Sequence, residues 1–437
     1  KKNAQHLVFW DLSAIFATLN KHFPHKKQYP RNQTPNKTPN MANSNLSNAK
    51  NAKNDEFYTQ YADIEKEIMA YLEYNPEVFR NKTILLPCDD PEWSNFTKFF
   101  AQNFERFGLQ KLISTSYAHN SKNYKSTYQP TIFETKAPHY DETKTIVNGK
   151  IFTLTADNSG DNKINIDDLQ WQYLVGDGDF RSKEIKKLRD EADIIITNPP
   201  FSLFREFLAW IVAANKQFLI IGNMNAITYK EVFPLIKENK AWLGATNFNT
   251  GMYFKVPSDF VYADTYKFER ERNGEKVNRV PGVCWFTNLD HGRRHNPLPL
   301  MTMEDNLKFN KKLIDKESYD RYDNYDAIEV PFTDAIPSDY DGIMGVPISF
   351  LDKYCPEQFE ILGATQRGCH DEVPDTKKYD DYWEVKQSGE KTGSSGGKTN
   401  ENANLLGNDG KKNYFINKEG RIIQSAYQRI FIKHKKQ

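Results

Sequence analysis

Short apolar runs alternate with amphipathic stretches through the middle of this chain, and that alternation limits the possible folds more than any other feature. Thr83–Cys88, Lys111–Tyr117, Asp193–Thr197 and Gln217–Gly222 read as buried strands, because their apolar and β-branched residues run on rather than alternate. Between them, Ser94–Phe107 reads as a helix with Phe96, Phe99, Phe100, Phe104 and Phe107 mostly on one face, and Lys183–Asp190 and Phe201–Ala214 read as further helices. Strands that are apolar on both sides need cover on both sides. The spacing therefore predicts an α/β fold with a parallel sheet between helices. Upstream, Ile64, Ile68 and Leu72 predict a helix after Tyr58-Thr59. Ile151–Thr155 and Trp171–Val175 add strands, the first in an inserted hairpin.

The ends of the chain differ from this middle. Residues 1–54 hold nine Lys/Arg against a single acidic residue, Asp11, and Lys26–Lys53 is rich in Asn, Pro, Ser and Lys, so residues 1–50 read as a disordered basic extension. Beyond Asn247 the alternation stops. Asn273-Gly274 marks a hairpin over about 255–280, and Val280–Leu289 reads as a strand. Ser388–Lys412 is a Gly/Ser/Asn/Lys stretch with the composition of a mobile loop. Residues 411–437 carry eight Lys/Arg and one Glu around two alternating runs, Arg421-Ile422-Ile423 and Arg429–Ile432, that read as strands. The expected organisation is an extension (1–50), a catalytic α/β domain (51–300) and a mixed α+β recognition domain (301–437) with a flexible loop at 388–412.

Composition narrows the function classes. Hydrophobic residues at 38% and aromatics at 14% suffice for a sizeable core, and no window has the ~18 apolar residues of a membrane span. Lys+Arg of 59 against Asp+Glu of 58 excludes a uniformly basic coat while leaving room for local basic faces. Cys88, Cys284, Cys355 and Cys369 are scattered, with no zinc-ligand spacing, so no metal is expected and the cysteines suit a reducing cytoplasm. The apolar stretch Leu7–Leu19 is broken by Asp11 and lacks the marks of a signal peptide.

Asn198-Pro199-Pro200-Phe201 carries the chemistry. It follows the Asp193–Thr197 strand and opens a helix, the place where open α/β sheets bind ligands. An amino group on an aromatic ring is a poor nucleophile, because its lone pair is delocalised. Two acceptors aimed at its hydrogens favour a tetrahedral, nucleophilic nitrogen. The Asn198 side-chain oxygen and the Pro199 carbonyl are the two candidates. The prolines stiffen that carbonyl and remove competing N–H donors, and Phe201 offers a ring to stack on a planar substrate.

Three weaker signals surround this one. Gly176-Asp177-Gly178-Asp179-Phe180 follows a strand about 20 residues before Asn198; a carboxylate there can accept from an adenine amino group, with Phe180 packing on the ring, and Asp-Gly pairs are also common turns. Phe57-Tyr58-Thr59 precedes the first helix, so Thr59 either binds a cofactor carboxylate or caps the helix. Cys88–Phe96 ends the first sheet strand without a G-x-G; Asp89 or Asp90 is placed to contact a ribose or an ammonium group, and Ser94 to cap the next helix.

Tyr58-Thr59, Asp179-Phe180 and Asn198–Phe201, in that order, resemble the γ-class DNA adenine-N6 methyltransferases. Asp55–Tyr61, Cys88–Pro91 with Ser94–Phe96, and Asn198–Arg205 resemble more closely the EcoRI-type adenine-specific family, over about residue 50 to the C-terminus. The resemblance implies a Rossmann-like sheet with a C-terminal DNA-recognition domain. It also implies S-adenosylmethionine as cofactor and methylation of adenine in duplex DNA within a restriction–modification system. A cognate endonuclease would be linked only through the shared DNA site, and a monomer suffices. By this resemblance Thr59 meets the methionine moiety, Asp179 and Phe180 the cofactor adenine, and Asn198, Pro199 and Phe201 the target base, with Tyr58 and Asp177 in the cofactor-binding set and Pro200 in the catalytic one. Two departures matter: no Gly-rich turn follows the first strand, and the second ends in Ser114-Thr115-Ser116-Tyr117 without an acidic ribose ligand, which leaves Asp89 as the substitute by position. Arg293, Arg294 and the basic tail are candidate DNA contacts. The rival readings are an RNA adenine or protein-glutamine methyltransferase, whose amide nitrogen poses the same lone-pair problem, and a catalytically idle DNA-binding module.

Overall fold

The computed structural model describes residues 58–89, 94–118, 135–246, 251–256, 262, 266–314, 316–365, 373, 376–426 and 428–436. The expected extension over 1–50 lies outside the described residues. The chain runs β1 (Tyr58–Thr59), α1 (Tyr61–Tyr74), β2 (Thr83–Pro87), α2 (Asn95–Gln102), β3 (Lys111–Ser116), β4 (Lys150–Leu154), β5 (Gln170–Tyr173). It continues with α3 (Lys183–Glu191), β6 (Ile194–Thr197), α4 (Phe204–Val212), β7 (Gln217–Asn223), β8 (Trp242–Leu243), β9 (Met252–Lys255), β10 (Glu271–Arg272), β11 (Glu275–Val280) and β12 (Val283–Thr287).

Eight strands form one sheet in the order β5-β4-β3-β2-β6-β7-β12-β8. The centre, β3-β2-β6-β7, is parallel, as the sequence predicts. The flanks correct the expectation of an all-parallel sheet: β4 runs antiparallel to β3, β5 to β4, and β12 to both β7 and β8. A parallel return needs a crossover, usually a helix, and the β4–β5 connection holds only a single 3-10 turn, Ile166–Asp168. The Asp168 carboxylate closes that loop by accepting from the amides of Asn158, Ser159 and Asn165. This is the inserted hairpin expected near Ile151.

Alternate residues of the central strands point to opposite faces, and both faces are buried. Leu85, Ile113, Ile195, Phe218 and Ile220 pack with Phe204, Phe207 and Ile211 of α4. Ile84, Leu86, Leu112, Ile194 and Ile196 pack with Ile64 and Ile68 of α1 and Phe96, Phe99 and Phe100 of α2. The expected single helix over 94–107 is two, Asn95–Gln102 and Phe104–Phe107. They break at Asn103, whose side-chain amide donates to the Phe99 carbonyl at 2.9 Å and competes with the helical ladder. Helix α4 starts late, after a 3-10 turn over Phe201–Leu203, because Pro200 is extended (ψ 122°).

The expected hairpin is present: β1, β9, β11 and β10 make a second, four-stranded sheet, with Asn273-Gly274 at its turn. Further on, β13 (Ala327–Glu329), β14 (Ile343–Pro347), β15 (Phe359–Ala364) and the terminal Arg429–His434 strand form a third sheet. Its Met344, Val346, Ile361, Ile430 and Ile432 share one apolar cluster with α4 and the main sheet. Trp383–Val385, Lys391–Ser395, Asn404–Leu406, Tyr414–Ile416 and Ile422–Ser425 form a five-stranded sheet. The segment 388–412, expected as a mobile loop, is therefore partly strand: Lys391–Ser395 pairs with Trp383–Val385, and Asn404–Leu406 with Ile423–Ser425. Small polar residues suit an edge strand whose partner supplies the hydrogen bonds, and composition alone does not reveal that partner. Among the described residues no helix is long and apolar enough to cross a membrane.

Candidate active site

The carboxyl ends of β2, β3 and β6 lie side by side and gather the residues that the sequence singles out. Asn198 is half-buried just after β6; Pro199 and Pro200 are buried, and Phe201 is partly exposed with one side against the core. The preceding Thr197 places its hydroxyl 2.7 Å from the Pro87 carbonyl and 2.5 Å from Asp89 Oδ2. Where a Gly-rich turn is missing from the sequence, Cys88 takes the left-handed conformation itself (φ +74°). Such a φ in a non-glycine residue costs roughly 1–3 kcal/mol and persists where the surroundings impose it.

Thr59 is not the helix cap. The N-cap of α1 is Gln60, which makes no side-chain cap bond, and Thr59 sits in β1 opposite Phe254. Its carbonyl accepts from Asn95 Nδ2 at 2.7 Å, so the N-terminus of α2 holds it. Its hydroxyl is buried without a hydrogen-bond partner, and so is that of Thr115 at the end of β3. Orphaned hydroxyls of this kind cost free energy unless a ligand satisfies them. That fits a cofactor lying across these strand ends.

The Asp177–Phe180 loop is pinned against β3. Ala118 N donates to the Asp177 carbonyl at 2.9 Å, and at Gly178 (φ +88°) a Cβ would lie 2.3 Å from the Ser116 carbonyl oxygen, so only glycine fits. Asp177 is half-buried and accepts from Asp179 N at 3.2 Å. The Asp179 carboxylate is held side-on by Arg181, with Nε and Nη2 at 2.9 and 2.6 Å. Four lone-pair directions on a carboxylate leave capacity for a further donor. Arg181 was missed in the sequence, although its place two residues after Asp179 was the available signal.

Four of the expected ligand residues are engaged within the fold. Phe180 is 0% exposed, with ring centroids of Phe207 and Trp210 at 5.1 and 5.6 Å, where its apolar ring gains from burial under α4. Asp89 does not present its carboxylate outward. It is 7% exposed, with Ser94 Oγ donating to Oδ1 at 2.8 Å and Thr197 on Oδ2. Arg293 and Arg294 have partners within the chain. Arg293 bonds the Ala245 carbonyl and buried Asp352 at 2.8 and 2.7 Å, while Arg294 packs 3.6 Å from the Trp242 ring centroid and pairs with Asp290 and Asn239.

Beside these arginines, His291 is 2% exposed and its ring Nε2 lies 3.0 Å from the Leu243 carbonyl. Burial, helped by the charges of Arg294 and Arg293, pushes its pKa down to about 4. Between about pH 6.5 and 4 the unfolded chain then binds the proton that the folded chain refuses. His291 stability is complete above pH 6.5 and lost as pH falls, on the order of 3 kcal/mol in all. Replacement by Asn is expected to flatten the loss of denaturation midpoint between pH 7 and pH 4; an unchanged slope would remove His291 as its source. His295, whose pKa is raised because Asp290 and Glu357 outweigh the opposing effect of its burial, acts in the opposite sense.

An amide oxygen and a proline-held carbonyl at the end of a central parallel strand are the groups expected of an amino-group methyltransferase. The comparisons with known proteins agree. The family described as adenine-specific methyltransferase EcoRI matches residues 45–435. The Type II methyltransferase M.EcoRI of Escherichia coli is 43% identical over 323 residues, 74% of this chain and 90% of that protein. M.MgeORF184P of Mycoplasma genitalium is 36% identical over 72% of this chain and 85% of its own length, and M.MpnI of Mycoplasma pneumoniae 33% over 72% and 84%. No solved structure matches. The chain belongs to the EcoRI-type family of adenine-specific DNA methyltransferases.

Proposed function

We propose that this enzyme methylates N6 of adenine in duplex DNA from S-adenosylmethionine, as the modification partner of a restriction system in the cytoplasm, and that the sheet is a Rossmann-like methyltransferase core with a recognition domain after residue 300. The observation that carries the proposal is Asn198-Pro199-Pro200-Phe201 at the end of β6, joined to the Thr59 segment through Thr197, Asp89, Ser94 and Asn95. When bound, S-adenosylmethionine supplies a methyl group on a positively charged sulfur that is already a good leaving group. Thr59 takes the methionine moiety, and Asp177 and Asp179 the adenine amino group. Asn198 Oδ1 and the Pro199 carbonyl accept the two hydrogens of the target amine and localise its lone pair on nitrogen. Phe201 stacks on the base, which must leave the helix to reach the site.

DNA contact falls to the hairpin sheet, where cations lie on aromatic rings: Arg272 at 3.4 Å from the Tyr253 centroid, Arg279 at 4.3 Å from Phe268, Arg270 at 4.9 Å from Tyr262. Phe268 is 45% exposed. Such pairs suit backbone phosphates and unstacked bases.

Radiolabelled S-adenosylmethionine, offered to duplex DNA, RNA and a protein lysate in parallel, is expected to leave label in DNA as N6-methyladenine. Label in RNA or protein alone would sink the substrate assignment. Asp179→Ala is expected to weaken cofactor binding first, by roughly 10-fold, the worth of one hydrogen bond to a charged group. An unchanged dissociation constant would remove Asp179 from the cofactor site.

A further inference from the structure

The geometry points to Asp89 as a positioning residue that aligns the target-amine acceptor with the cofactor segment. Its carboxylate faces two hydroxyls from different elements: Ser94 Oγ at 2.8 Å on Oδ1 and Thr197 Oγ1 at 2.5 Å on Oδ2. Its backbone carbonyl takes the Ser114 hydroxyl of β3, which in turn lies 2.9 Å from Thr97 Oγ1 of α2. One residue thus ties the ends of β2, β3 and β6 to the start of α2. Cys88 in its left-handed conformation turns the chain inward to make this possible.

The contacts form a continuous line between the two substrates. Asn198 follows Thr197, which bonds Asp89. Asp89 bonds Ser94, the N-cap of α2, whose hydroxyl accepts from Phe96 N. Asn95 is next in the chain, and its amide holds the Thr59 carbonyl. In-line transfer needs donor and acceptor aligned closely, and a misplacement of ~1 Å costs on the order of 100-fold. A rigid, buried line from one substrate's ligand to the other's keeps that alignment through the reaction. The inference rests on Asn198 and Thr59 serving the two substrates as proposed above.

The test compares Thr197→Val, Thr197→Ser, Asp89→Asn and the double variant Asp89→Asn/Thr197→Val. It reads single-turnover methyl transfer, the S-adenosylhomocysteine dissociation constant by calorimetry, and the melting temperature. Thr197→Val and Asp89→Asn are expected to slow transfer by roughly 10- to 100-fold. Their affinity for S-adenosylhomocysteine stays within about twofold, since no ligand contact is lost. Thr197→Ser keeps the hydroxyl and restores most of the rate. The double variant is no slower than the slower single one, because both break the same contact. Should Asp89→Asn weaken S-adenosylhomocysteine binding by about 10-fold with transfer nearly intact, Asp89 is a cofactor ligand. Wild-type transfer by Thr197→Val would reduce the contact to a purely structural one. A failure of the underlying site shows itself separately, as normal transfer by Asn198→Ala.

Discussion

Replacing Asn198 by alanine is expected to lower the rate of methyl transfer by roughly 100- to 1000-fold while leaving cofactor affinity close to wild type. The scale is that of losing one preorganised polar group that meets charge developing only in the transition state. The target amine becomes positive as it attacks, so its hydrogens bond an acceptor more strongly then than in the ground state. A loss confined to turnover, with KM for DNA little changed, is the signature of such an interaction. Asn198→Asp is informative beside it. A carboxylate retains an acceptor and adds charge, so transfer should exceed that of the alanine variant. Single-turnover kinetics with labelled cofactor and calorimetric binding decide both points. Wild-type transfer by Asn198→Ala would remove this residue from the chemistry.

The largest expected effect on stability lies far from the site. Glu329 and Arg429 form a side-on ion pair with side chains 6% and 9% exposed. Arg429 Nε lies 2.9 Å from Oε2, and Nη2 2.5 Å from Oε1. Tyr322 donates to the same carboxylate. Glu329→Ala strands a buried guanidinium and is expected to cost about 3–5 kcal/mol, read as a lower urea midpoint. Replacing both partners by methionine should cost far less, because no charge is left unpaired. Equal losses in the single and double variants would contradict the pairing. The pair also takes one candidate DNA contact of the tail into the core: Arg429 is buried, while Arg421 pairs with Asp323 and Lys412 donates to the Ser425 carbonyl at 2.7 Å.

The order of the central elements, and the place of Asn198–Phe201 at a strand end, were legible without coordinates. Continuous apolar runs can satisfy both faces only inside a sheet, and this placed β2, β3, β6 and β7 and the helices between them. Asn198–Phe201 was legible because prolines dictate backbone shape locally, and the residue types fit one kind of chemistry. The Asn273-Gly274 turn was readable for the same local reason. The antiparallel flanks were not, since strand direction depends on how a connection returns rather than on the strand itself.

What tertiary structure alone decided is which polar and aromatic side chains are consumed by the fold. Their partners lie far along the chain: Thr197 reaches Asp89 across 108 residues, and Arg429 reaches Glu329 across 100. Arg293 finds Asp352, and Phe180 finds Phe207 and Trp210. Hydrophobic period and backbone preference act within a few neighbouring residues and are written in the sequence there. A charge or hydroxyl is satisfied by whatever the fold brings within about 3 Å, and no local pattern records that.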